Sequence, residues 1–204
     1  MPMKNAIVAV AATLALAACQ QKDEVADADP GTTNPAINAA QDAVGAAVGA
    51  TTASTVAPMT TDSFATNAVI GGMYEIQAGQ IAEKKSQNAA VKSFAKMMVA
   101  DHTAMSNQMK PLIAAAGVTA PTGLDERRKG MIDNLNAASA ADFDGVYRAQ
   151  QDAAHKETLA LMEGYAQSGD NAGLKDAAAK AVPKVRAHLD HVQQLASAAT
   201  AAGR

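Results

Sequence analysis

Apolar residues recur every three to four positions along most of the chain, the period of one face of an α-helix. A first such run spans 62–87, with Thr61, Asp62 and Ser63 as candidate N-caps. A second covers 88–116 and meets a stop signal in Gly117 and Pro121. A third begins at Ala141-Asp142 and ends near Ser168-Gly169, and a fourth runs from about Asn171 to Ala199. Pro183 interrupts the fourth and should kink it, but the apolar period continues across, so one helix is expected. Between the second and third lies a connection of about 25 residues with a short amphipathic piece, "LDERRKGMIDNLNA". Strand signals are missing. The pattern predicts an all-α fold, a ferritin-like four-helix bundle with one long connection between helices 2 and 3.

Projected on a wheel, the runs place polar residues where apolar ones belong. Val91, Phe94, Ala95, Met98, Met105, Met109 and Ala116 fall within about 80° of His102. Around Glu75, within about 60°, lie Phe64, Ala68, Gly71, Gly72, Ala78, Gly79 and Ala82. The third run buries Phe143, Tyr147, Thr158, Met162 and Tyr165, with His155 toward one side of that face. The fourth buries Leu174, Ala181, Val185, Val192 and Leu195, and His188 lies within about 50° of their mean direction. Glu75, His102 and His155 stand midway along their runs, and His188 just past the middle of its own. Midpoints superpose whichever way each helix points, so the pattern predicts one polar layer inside the bundle.

A carboxylate in an apolar interior requires a partner. One reading is a closed metal site in which Glu75, His102, His155 and His188 hold a single zinc, iron or manganese ion. Copper is the weaker choice, since it would rely on Met98, Met105, Met109 and Met162, and methionine stripes at helical spacing are usually packing. The alternative is a metal-free Glu–His hydrogen-bond network that fixes helix register. Asp101, about 100° from His102, is expected to face solvent or to support a ligand from outside. Gln151, one turn before His155, can orient that ring, and His191 sits at the edge of the fourth helix's core face.

Composition narrows the function. Hydrophobic residues make up 49% of the chain but aromatics only 3%, so the helices must pack over small side chains. A net charge of −3 offers no basic footprint for nucleic acid. No GxSxG and no Gly-rich phosphate loop occurs, and no catalytic residue is singled out. An enzyme would need an open coordination position and a route to it.

The first residues, "MPMKNAIVAVAATLALAAC", combine Lys4 with a short apolar run ending in small residues, the pattern of an export signal. Leu16-Ala17-Ala18-Cys19 resembles a bacterial lipobox, which implies lipidation of Cys19, the only cysteine of the chain. The expected organisation is a signal peptide at 1–18, a lipidated Cys19 with an Ala/Thr/Pro-rich tether at 19–61, and a bundle at 62–200. The membrane is then a partner through Cys19, and the domain faces the periplasm. Gln20, not Asp, follows the cysteine, which points to the outer membrane in a Gram-negative source.

Three ordered segments, "FATNAVIGGMYEIQAGQIAEKKSQNAAVKSFAKMMVADHTAM", "FDGVYRAQQDAAHKETL" and "LKDAAAKAVPKVRAHLDHV", resemble the domain of unknown function 4142 family over about residues 62 to 196. The resemblance implies a ferritin-like helical fold and an exported setting, without a known reaction. The family's characteristic positions fall on Glu75, on Asp101-His102, on the Tyr147 to His155 segment and on His188. Iron-binding ferritin relatives use Glu-x-x-His on two helices. Here Val99 and Val185 stand three before His102 and His188, and Asp152, three before His155, points away from the core. At most one metal ion is expected, and two-iron oxidase or iron-storage chemistry is not.

Overall fold

The computed structural model describes residues 59–202, so the expected signal peptide, Cys19 and the tether up to residue 58 lie outside the described residues. Five helices and no strand are present among the described residues: α1 Thr61–Lys85, α2 Ala89–Ala115, α3 Glu126–Ala137, α4 Phe143–Ser168 and α5 Ala172–Ala202.

Local chemistry sets the helix ends. Thr60, one residue before the expected caps, opens α1 by accepting from the Ser63 amide at 3.2 Å. The first two helices do not abut at 87 and 88. Ser86 turns extended and closes α1, and Asn88 Oδ1 caps α2 by accepting from Ala90 and Val91 amides. Gly117, at φ 75°, ends α2 in the left-handed conformation that only glycine adopts without strain. Its amide donates to Ala114 and that of Val118 to Ile113, a Schellman closure. The amphipathic piece in the long connection forms α3, capped by Asp125 on the Arg128 amide. The third expected run starts at Phe143 rather than 141, because the Asp142 carboxylate accepts from the Ser139 hydroxyl at 2.6 Å and makes no cap bond. Asn171 caps α5, which continues as one helix through Pro183.

The four long helices pack as pairs, α1 on α2 and α4 on α5, and the pairs close through α2 on α5 and α1 on α4. The short α3 lies on α1 and α4. Lys85 holds its C-terminal end by donating to the carbonyls of Leu135, Asn136 and Ala138. Arg127 and Arg128 hold its start through Glu157. At Gly79 the α1 backbone meets α2 so closely that a Cβ would sit 2.8 Å from Val99 Cγ2 and 3.0 Å from the Ala95 carbonyl oxygen.

The apolar core is divided. One cluster gathers Tyr74, Phe94, Met98, Leu135, Phe143, Tyr147 and Val192, and a second gathers Phe64, Met109, Ile113, Met162, Tyr165 and Leu174. Burial of each large side chain contributes roughly 1.5–3 kcal/mol. In the second cluster Phe64 stacks on Tyr165 with ring centroids 3.9 Å apart. His102, His155 and His188 fall between the two clusters along their helices, Glu75 lies beside Tyr74 within the first cluster, and all four are buried. Ala68, Gly71, Gly72, Met105, Thr158 and Ala181, expected in the core, are only partly buried. They line a cavity of about 1070 Å³ instead.

Candidate metal centre

Three helices deliver one imidazole each to a common point. His102 comes from α2, His155 from α4 and His188 from α5, with 4%, 0% and 2% of their surface exposed. Ring centroids are 5.6 Å apart for His102 and His155, 5.5 Å for His102 and His188, and 5.5 Å for His155 and His188. The triangle is nearly equilateral. Three imidazoles bound to one ion at about 2.0–2.1 Å would have centroids about 5.2–5.5 Å apart, so the ring spacing fits a shared ion. One ligand nitrogen from each ring lies within 4.8 Å of the other two.

Hydrogen bonding decides which nitrogens face the centre. His155 Nδ1 lies 2.8 Å from the Gln151 carbonyl oxygen, which can only accept, so Nδ1 carries the proton and Nε2 the lone pair. His188 Nε2 lies 2.8 Å from Asp101 Oδ2, which fixes the opposite tautomer and frees Nδ1. His102 Nε2, His155 Nε2 and His188 Nδ1 are the ring nitrogens that are buried without a hydrogen-bond partner among the described residues. Buried polar atoms are rarely left so. Three unpartnered ring nitrogens, one from each histidine, are the donor set of a metal site, with the other nitrogen of two rings oriented by an oxygen, as metal-bound histidines require.

Electrostatics disfavour the charged form of His102 and His188. Burial, aided by His155 and His188, pushes His102 well below the usual imidazole range. Burial also depresses His188 to about 4, although its hydrogen bond to Asp101 pulls the other way. Burial opposes ionisation of Asp101 too, but hydrogen bonds from Lys184 and His188 outweigh it and hold the carboxyl below its usual range.

Glu75 lies in the same layer but outside the group of three. Its Oε2 accepts from Gln151 Nε2 at 2.6 Å, and its Oε1 is 3.6 Å from His155 Nδ1, the nitrogen turned away from the centre. Burial raises its pKa above 4.5, against the opposing pull of His155, Gln151 and Arg128. Gln151 orients His155 with its backbone carbonyl, and its side chain serves Glu75 instead. Asp101 reaches across from α2 to α5 and contacts both His188 and Lys184, the latter at 2.9 Å. His191 does not join the group; its ring stands edge-on to Phe94 at 5.1 Å. Met98, Met109 and Met162 sit in the two apolar clusters, and Met105 in the cavity wall.

Sequence reasoning did not find the cavity, whose wall includes His102, Arg128, Ser106 and Thr158. Arg128 is 6% exposed and bonded to Asp125 at 3.0 Å and Glu157 at 2.9 Å. A signal was present in the spacing: Ser106 follows His102 by one turn, Thr158 follows His155 by nearly one, and Gly71-Gly72 precede Glu75 by one.

A family model described as a domain of unknown function (DUF4142) matches residues 46–195. No curated protein and no solved structure matches the chain. The match takes in every helix that builds the centre, from Glu75 to His188, and the chain belongs to the DUF4142 family.

Proposed function

We propose that this protein binds a single divalent transition-metal ion through His102, His155 and His188, with a fourth position left for water or another ligand. The observation that carries the reading is the set of three buried, unpartnered ring nitrogens in a near-equilateral group. An all-imidazole set suits zinc or iron better than manganese, which prefers carboxylate oxygen. Asp101 and the Gln151 carbonyl act from behind the ligands, where they fix the orientation of His188 and His155.

The wider setting is an exported lipoprotein of the cell envelope. In it, residues 1–18 are the signal peptide, Cys19 carries the lipid, 19–61 form the tether and 62–200 the domain. A ferritin-like bundle is the fold assigned to that domain, on the strength of two pairs of long helices joined by the long connection between α2 and α4. A non-catalytic envelope module with a metal-free Glu–His layer is the second reading. It draws on the Glu75–Gln151 and Asp101–His188 hydrogen bonds, which tie α1 to α4 and α2 to α5. That reading leaves the three ring nitrogens unexplained.

Calorimetric titration of chelator-treated protein with Zn²⁺ tests the assignment. Saturation at one ion per chain, abolished in His155→Ala, is the expected result. Absence of a binding isotherm for zinc, iron, manganese and copper would leave the layer as internal scaffolding.

A further inference from the structure

We propose that the metal centre takes an exogenous ligand, a monocarboxylate with an apolar body, its carboxylate on the metal's fourth position and its body in the adjoining cavity. This rests on the metal centre proposed above. Three neutral imidazoles leave a divalent ion with its full charge, and Glu75 and Asp101 contact only the outward-facing nitrogens of His155 and His188. An anion at the open position is therefore favoured over a neutral ligand.

The cavity wall next to the centre is built of donors. One helical turn from the histidines toward the cavity come Ser106 on α2, Thr158 on α4 and Lys184 on α5, all in the wall. Arg128 joins them: a Cβ on Gly71 would lie 4.0 Å from both Arg128 Nη2 and Thr158 Oγ1, and one on Gly72 would lie 3.0 Å from Ser106 Oγ. The glycines leave this space open. The two hydroxyls can donate to a carboxylate, while the Lys184 ammonium is held by Asp101 and the Arg128 guanidinium by Asp125 and Glu157. The wall's own carboxylates are taken, Asp125 by Arg128, Glu157 by both Arg127 and Arg128, and Asp176 by Lys180.

Further along the same helices the wall turns apolar, with Ala68, Met109, Ile113 and Leu161. The cavity, at about 1070 Å³, is far larger than a simple anion needs and is in the range that encloses small organic ligands. A carboxylate head at the metal with a hydrocarbon body beyond it matches both ends.

The test is a titration of the Co²⁺-loaded full chain with acetate and with octanoate, followed in the visible spectrum of the bound cobalt. Both should perturb the spectrum. Octanoate should half-saturate at about 100-fold lower concentration or less, since each buried methylene is worth roughly a factor of four. Ala68→Phe, which puts a ring into the apolar part of the cavity, should retain the cobalt spectrum and reduce the preference for octanoate. The Ser106→Ala/Thr158→Ala pair should weaken both ligands about tenfold. Should Ala68→Phe fail to fold, the series from acetate through hexanoate to decanoate on the parent gives the same reading, because affinity must rise with chain length. A cobalt spectrum unmoved by either acid, or moved equally by both, overturns the ligand while leaving the metal centre intact. A chain that takes up no cobalt overturns the centre and the ligand together.

Discussion

Asp101 Oδ2 lies 2.8 Å from His188 Nε2, on the side of the ring opposite the unpartnered Nδ1. The contact bridges α2 and α5 and selects the tautomer that presents a lone pair to His102 and His155. Because Lys184 also donates to Asp101, the carboxylate stays ionised and acts as a fixed anchor for the ring.

Removing that anchor should weaken metal binding more than it weakens the fold. Asp101→Ala is expected to lower metal affinity about 10- to 100-fold. The Lys184 pair is partly exposed, so its loss should cost stability no more than about 1 kcal/mol. Competition against a chromophoric chelator reads the first, and urea unfolding the second. Unchanged affinity would remove Asp101 from the site.

The pH dependence of the metal-free protein follows from the two kinds of buried group. His188 has a folded-state pKa of about 4, below its unfolded value of about 6.5. The unfolded chain therefore binds the proton first, and stability is lost as pH falls from about 6.5 toward 4, by an amount on the order of 3 kcal/mol. His102 acts with the same sign. Glu75 acts with the opposite sign: its folded pKa is raised, so stability declines as pH rises above 4.5. Denaturant titrations in the presence of chelator should show a shallower acid-side slope in His188→Gln and a steeper one in Glu75→Gln. Parallel pH profiles for all three proteins would contradict these assignments.

Close approach of α1 and α2 makes Gly79 intolerant of a side chain. Gly79→Ala places a methyl 2.8 Å from Val99 Cγ2, and overpacking should cost about 1–3 kcal/mol despite the better helix propensity of alanine. Gly145, near the start of α4, has open space around its Cβ position. Gly145→Ala should therefore stabilise by a few tenths to about 1 kcal/mol. Urea midpoints of the two variants should move in opposite directions, and a shared direction would mean that helix propensity alone governs both sites.

Lipid attachment is checked in cells. Labelled palmitate should be incorporated into the parent, and Cys19→Ser should lose both label and membrane association. Label retained in Cys19→Ser would place the modification elsewhere.

The hydrophobic period carried much of this picture. It gave the directions of Glu75, His102 and His188 and the depth they share, because face and depth depend only on residue number along a regular helix. It did not say what lies opposite a face. Ala68, Gly71 and Gly72 point inward as the wheel requires, but such small side chains cannot fill the space before them, and a cavity results. His155 was placed toward one side of its helix face and is fully buried, since α4 is covered by three neighbours, α1, α3 and α5. Nor does a wheel distinguish the two nitrogens of a ring. Glu75 shares the layer but lies nearest His155 Nδ1, and only the Gln151 carbonyl shows which nitrogen is left for the centre. The contribution of Arg128 was hidden because it comes from the connection, where no repeated face constrains direction.

Anomalous diffraction from crystals of zinc-reconstituted protein, recorded at the zinc edge, tests the metal centre most directly. A single strong peak at about 2.0–2.1 Å from His102 Nε2, His155 Nε2 and His188 Nδ1, with Glu75 outside the coordination sphere, is the expected result. A histidine layer without anomalous density, or a peak bound elsewhere on the chain, would contradict it.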